Sequence, residues 1–232
     1  VFFVGRKINK IILNEQPPKS KFLRSSGPYP PKNDYFCAEI IRKIMEKELE
    51  AALDTLKRGG LILYPTDTVW GIGCDATDEK AVERIYELKR SENKHSMLVL
   101  CRDADMIVRY VDKAPGIAFE VMEMADKPLT LILDGAVGVA PNLIPEEGTL
   151  GVRVPDHEFC RQLLRRFGKP IVSTSANVSG EATPMKGLAE VGREIIDGVD
   201  FVVNPRFQGH PTCKPSSIIA FGPRGEVKII RK

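Results

Sequence analysis

Three short stretches of the sequence gather hydroxyl and amide side chains: Tyr64-Pro-Thr-Asp-Thr-Val-Trp-Gly71, Ser173-Thr-Ser-Ala-Asn-Val-Ser-Gly180 and Lys214-Pro-Ser-Ser217. Each is read as leaving a strand, and loops at strand ends are where α/β folds place ligand groups. Such side chains hold phosphate oxygens or an amino-acid head group at small desolvation cost, although the same residue types also close turns. Cations supply the other half of the chemistry. Lys89-Arg-Ser-Glu-Asn-Lys94 closes an amphipathic helix, where basic residues oppose the helix dipole. It is also the pattern a polyphosphate needs, converging Lys and Arg that offset developing charge. Arg153 ends the Val-rich run Leu150–Val154. An arginine there calls for an anionic partner, such as a carboxylate or phosphate.

Other chemistries fit less well. Gly71-Ile-Gly-Cys-Asp-Ala76 has the outline of a dinucleotide fingerprint. Its glycines directly extend the threonine loop, however, and the acidic residue Asp103 comes late. Gly168-Lys169 lacks the upstream glycine of a phosphate-binding loop and is followed by Pro170, so it reads as a helix stop. His157 sits in a helix first turn and His210 beside Pro211, which leaves no serine–histidine–aspartate set. The five cysteines, at 37, 74, 101, 160 and 213, form no CxxC pair. That spacing argues against structural zinc and a disulfide framework, and for a reducing cytosol.

Alternating elements must position these groups. Leu49, Ala52, Leu53 and Leu56 make one apolar helix stripe from Met45 onward, ended by Gly59–Gly60. Strands are expected at Leu61–Tyr64, Ser96–Cys101, Leu129–Leu133, Leu150–Val154, Ile171–Ser173, Phe201–Val203, Ser217–Phe221 and Val227–Ile230. Helices are expected at Asp78–Leu88, Asp105–Val111, Asp156–Phe167 and Met185–Ile196. The order implies an α/β domain on a twisted mixed sheet with flanking helices.

Residues 1–44 differ in texture, with five prolines and nine Lys/Arg against three Asp/Glu. The remainder holds 25 basic and 28 acidic groups, so the net charge of +3 resides in the first segment. Residues 1–44 are therefore expected to be a loose arm, or to precede a true start at Met45, with 45–232 as the catalytic domain. A net negative body argues against tight RNA binding as the main role. No apolar run reaches the roughly 18 residues of a membrane span.

The strings YPTDTVWGIGCDA, KPLTLIL, GTLGVRVP, KPIVSTSANVSGEATP and PSSII, in that order, resemble the YrdC-type threonylcarbamoyl-adenylate synthases. The likeness runs from about residue 46 to the C-terminus. It implies a YrdC-like α/β domain whose concave sheet face holds ATP and L-threonine. It also implies that bicarbonate or carbon dioxide is joined to the threonine amine, that ATP arrives with Mg2+, and that no metal is held by the protein itself. The nucleotidyl product would pass to a downstream tRNA threonylcarbamoyl transferase in the cytoplasm. By resemblance, Thr66, Thr68, Arg153 and Ser173 serve the substrate amino acid, and Thr149, Ser175, Asn177 and Ser216 the nucleotide. Lys89, Arg90 and Lys94 are the catalytic cations. The family usually shows Lys-x-Arg where this chain has Lys89-Arg90. Arg90 is favoured because Lys94 then keeps its spacing, with Ser91 the gapless alternative. Two rival readings share the fold. One is a double-stranded RNA-binding protein without synthase activity. The other is the carbamoyl-transfer domain of a hydrogenase-maturation protein, which would be longer and carry cysteine-paired zinc.

Overall fold

A computed structural model describes residues 32–91, 97–222 and 224–232, with side chains from residue 39 onward. Helix α1 (Lys32–Lys57) buries Leu49, Ala52 and Leu56 fully, while Leu53, the fourth residue of the expected stripe, packs against the core only partly buried. It begins well before Met45, because no proline or glycine interrupts residues 32–57. Gly59, at φ 71, takes the left-handed turn that closes it.

The chain then alternates: β1 (Ile62–Tyr64), β2 (Gly71–Gly73), α2 (Glu79–Lys89), β3 (Leu98–Leu100), α3 (Ala104–Ile107) and α4 (Gly116–Glu123). It continues with β4 (Leu129–Asp134), β5 (Thr149–Arg153), α5 (Glu158–Phe167), β6 (Ile171–Ser175), α6 (Arg193–Gly198), β7 (Phe201–Val202), β8 (Ser217–Phe221) and β9 (Val227–Arg231). The strands form one mixed sheet in the order β7-β1-β2-β6-β3-β5-β4-β8-β9. The expected helix Met185–Ile196 is instead a short 3-10 turn, Leu188–Glu190, followed by α6. Gly187, at φ 118, and Gly192, at the α6 N-cap, break the run that its apolar spacing suggested. The third polar stretch, Lys214–Ser217, leads into β8 rather than leaving a strand.

Period-two alternation gives the sheet two unlike faces. Ile72, Val99, Leu131, Leu133, Val152 and Val172 are fully buried in the core with α2 and α5. The other face carries small and polar residues. Gly71 pairs with Ser175, and Leu98 stands in register with both Gly151 and Ser173. Gly73 has a packing reason to lack a side chain. A Cβ there would lie 2.6 Å from the Val172 carbonyl oxygen and 2.7 Å from the Tyr64 ring. The glycines that outline a dinucleotide fingerprint therefore lie inside a strand pressed against its neighbours, not at a phosphate-binding turn.

Candidate functional site

The polar sheet face opens into a cavity of ≈ 210 Å³ bounded by the Thr66–Val69 loop, Gly71, Leu98, Arg153, Ser173–Ser175, Thr183, Pro215–Ser216 and Arg231. Thr66, Thr68, Arg153, Ser173, Ser175 and Ser216, far apart in sequence, thus share one wall. A neighbouring cavity of ≈ 180 Å³ shares Leu98 and is lined mainly by apolar groups, with Thr130 and Thr149 its hydroxyls. Thr149 is placed there rather than in the first cavity.

Arg153 anchors the polar end. Its residue is 4% exposed. Nη1 donates to Thr68 Oγ1 at 3.0 Å, and Nη2 lies 3.5 Å from Asp67 Oδ1. The Nε–H has no partner among the described residues. A buried donor of this kind costs about 1–3 kcal/mol when unmet, so the guanidinium is set to receive an anion. Thr68 Oγ1 lies 3.0 Å from Thr66 Oγ1, and Thr66 donates to the Val69 carbonyl at 2.7 Å.

Backbone bonds strap the 204–216 segment across the threonine loop. Thr212 N–H donates to Asp67 O at 2.9 Å and Cys213 N–H to Thr68 O at 3.1 Å. Trp70 Nε1 donates to Gln208 Oε1 at 2.7 Å, and His157 Nε2 meets the Gln208 carbonyl at 3.1 Å. A carbonyl only accepts, so His157 carries its proton on Nε2. Burial lowers its pKa and keeps the ring neutral. The strap delivers Ser216, whose hydroxyl lies 2.7 Å from that of Thr130 and whose carbonyl accepts from Arg231 Nε at 2.8 Å.

The helix-end cations separate. Lys89 is buried and its Nζ donates to Ser175 O at 2.7 Å and Asn177 O at 2.6 Å, pinning the loop that leaves β6. Burial lowers its pKa to about 8. Arg90 closes α2 in the left-handed region at φ 50. Its guanidinium meets Glu194 on α6 at 2.6 Å, with both side chains about half exposed or more. The structure therefore does not bring Arg90 into the cavity wall. Ser91 extends the helix end through its N–H to Tyr86 O. Lys94 lies outside the described residues. The Asn177 amide donates to Val178 O and Glu181 O, so it shapes the loop rather than lining the cavity.

Arg231, Asp67, Thr130 and Thr183 escaped sequence reasoning. Thr183 falls within the quoted string ending in EATP, so its hydroxyl was visible there. Arg231 gave no signal, because only the pairing of β8 with β9 carries a residue so remote to this wall.

The Sua5/YciO/YrdC family model, described as "Telomere recombination", matches residues 54–232. The chain belongs to this family. A threonylcarbamoyl-AMP synthase of Idiomarina loihiensis is 35% identical over 173 residues, which are 73% of this chain and 91% of that protein. Among solved structures, P. abyssi Sua5 complexed with L-threonine superposes with a TM-score of 0.68 at 26% identity over 75% of this chain. The chain covers only 50% of that Sua5. E. coli YciO gives a TM-score of 0.66 at 26% identity, over 82% of this chain and 89% of its own. Among the described residues, no helix is long and apolar enough to cross a membrane.

Proposed function

We propose that the chain is an L-threonylcarbamoyladenylate synthase, joining L-threonine, carbon dioxide or bicarbonate, and ATP, with release of pyrophosphate. One observation carries the reading: a buried arginine, Arg153, holds Thr68 and keeps a free N–H beside a cavity lined by Ser173, Ser175 and Ser216. An amino acid has a carboxylate for the guanidinium, and a nucleotide has oxygens for the hydroxyls. The synthase relatives at 30–35% identity and the threonine complex of Sua5 support this assignment.

The threonine amine takes up carbon dioxide to give a carbamate, whose oxygen attacks the α-phosphorus of ATP while pyrophosphate leaves. No protein nucleophile is required, and positioning with charge stabilisation suffices. Arg153 and Thr68, supported by Thr66 and with Ser173 beside them, form the threonine end. Ser175, Ser216 and Arg231 face the phosphates, and the adjoining cavity with Thr149 suits the apolar base. Lys89 holds the Ser175–Asn177 loop and brings positive charge to it, with Arg90 and Lys94 as the outer cations. Among the described residues no cluster of three His, Cys, Asp or Glu could cage a metal. The donors present suit Mg2+ carried on the triphosphate, where it would neutralise phosphate charge. The adenylate would then be consumed by a tRNA threonylcarbamoyl transferase in the cytoplasm, with residues 1–44 as the basic segment that meets RNA.

The test is pyrophosphate release with ATP, bicarbonate and labelled threonine. Release should require threonine and coincide with a labelled adenylate. Equal release with glycine, serine or no amino acid refutes the substrate assignment.

A further inference from the structure

The hydrogen bonds around Thr68 have only one consistent arrangement of protons. A hydroxyl has one proton and two lone pairs. Thr66 Oγ1 lies 2.7 Å from the Val69 carbonyl, which can only accept, so the Thr66 proton is spent there. Its lone pairs then face the Thr68 N–H at 3.1 Å and Thr68 Oγ1 at 3.0 Å. In the contact between the two hydroxyls, Thr68 must therefore be the donor. Thr68 Oγ1 also accepts from Arg153 Nη1 at 3.0 Å. One lone pair remains on Thr68, and no proton.

We infer that Thr66 is a positioning residue which, by taking the Thr68 proton, leaves the Thr68 hydroxyl able only to accept from the substrate, so that it holds an N–H of the substrate amine and leaves the amine lone pair free to react. This rests on the function proposed above. A carboxylate seated on Arg153 places its own α-nitrogen two bonds from the carboxylate carbon, nearer to Thr68 than a side-chain hydroxyl three bonds away. The amine must reach the site uncharged to act as nucleophile, and the neighbouring guanidinium favours that form. Its lone pair then forms the N–C bond to carbon dioxide while one N–H proton leaves to water, giving the carbamate. A Thr68 hydroxyl free to donate would bond to that lone pair and block it. Fixing the Thr68 proton on Thr66 prevents this.

The inference predicts a split between binding and turnover. Thr66→Val removes the acceptor, frees the Thr68 proton and gives the amine a donor. Threonine should still bind, with Kd by calorimetry within about threefold of wild type, while kcat at saturating threonine, bicarbonate and ATP falls about tenfold. Thr66→Ser, which keeps the hydroxyl, should restore kcat. Thr68→Val should instead weaken threonine binding, and the double variant Thr66→Val/Thr68→Val should be no slower than Thr68→Val alone. Should the valine variant not fold, Thr66→Cys, whose sulfur stands in for Oγ1 and accepts only weakly, carries the same expectation. Wild-type turnover together with an unchanged Thr66→Val rate, or a rate loss that serine does not restore, overturns the inference. Wild-type protein that binds no threonine overturns the functional reading itself, and this inference with it.

Discussion

Replacing Lys89 by methionine should change stability by an amount that depends on pH. In the wild type, Nζ is buried against two carbonyls, and burial lowers its pKa from 10.5 to about 8. At 1.36 kcal/mol for each pH unit, that fall corresponds to a cost of about 3 kcal/mol for keeping the charge in the fold. The unfolded chain stays protonated up to about 10.5, so between about 8 and 10.5 it binds the extra proton and wild-type stability rises with pH. The methionine variant lacks this titration and also removes the Lys89 donor from the Asn177 carbonyl, at about 1–3 kcal/mol, while the Ser175 carbonyl keeps the Asn177 N–H at 2.9 Å. The gap between the two proteins should therefore widen by about 2.5 kcal/mol from pH 7 to pH 10. Urea denaturation of both proteins at half-unit steps measures it, with the wild type as reference for every other titrating group. A pH-independent gap, or one that narrows as pH rises, refutes a buried Lys89 ammonium. A neutral amine keeps two N–H donors for the two carbonyls, so the loop should hold its place while only the charge is lost.

Two further outcomes follow from the same contacts. Arg153→Ala should weaken threonine binding by about 1.5–3 kcal/mol and also lower stability, because Asp67 is left buried without its cation. Arg153→Ala/Asp67→Asn should recover the stability, read by melting, but not the threonine affinity, read by calorimetry. A chain starting at Met45 keeps the Glu46–Arg166 pair, the Glu48 bond to Asn204 N and the Leu49, Ala52 and Leu56 contacts. It should turn over at the wild-type rate and melt within about 4 °C of the full chain, while binding RNA less well at low salt. A larger drop, or lost turnover, refutes the boundary.

Most strands were legible because alternation and β-branched residues mark them, as at Leu129–Asp134 and Ser217–Phe221. Gly71–Gly73 was not, since two glycines around one isoleucine carry no strand propensity and the segment exists through pairing with β1 and β6. Helix α4 was missed for a related reason: Gly116 opens it and Ala118 is its fully buried residue, so no apolar stripe announces it. At the site, Thr68, Arg153 and Ser173 could be read from strand-end hydroxyls and a lone arginine in an apolar run. The direction of Arg90 could not. It depends on a left-handed helix cap and on Glu194, which the fold brings alongside from α6. Asp67 was hidden in a turn-like string, and its partnership with Arg153 requires the three-dimensional path of two loops.

The cavity wall draws on Thr66 near one end of the sheet's chain path and Arg231 near the other. A ribosome making protein at typical rates needs roughly 10–30 s to deliver the stretch between them. Once β6 has emerged the nascent chain can hold β1, β2, β6, β3 and β5 in that order, yet the Ser216 carbonyl still awaits its guanidinium. Completion of the wall thus waits for β9, and a chain stalled or clipped before β9 would fold most of its sheet around an incomplete wall.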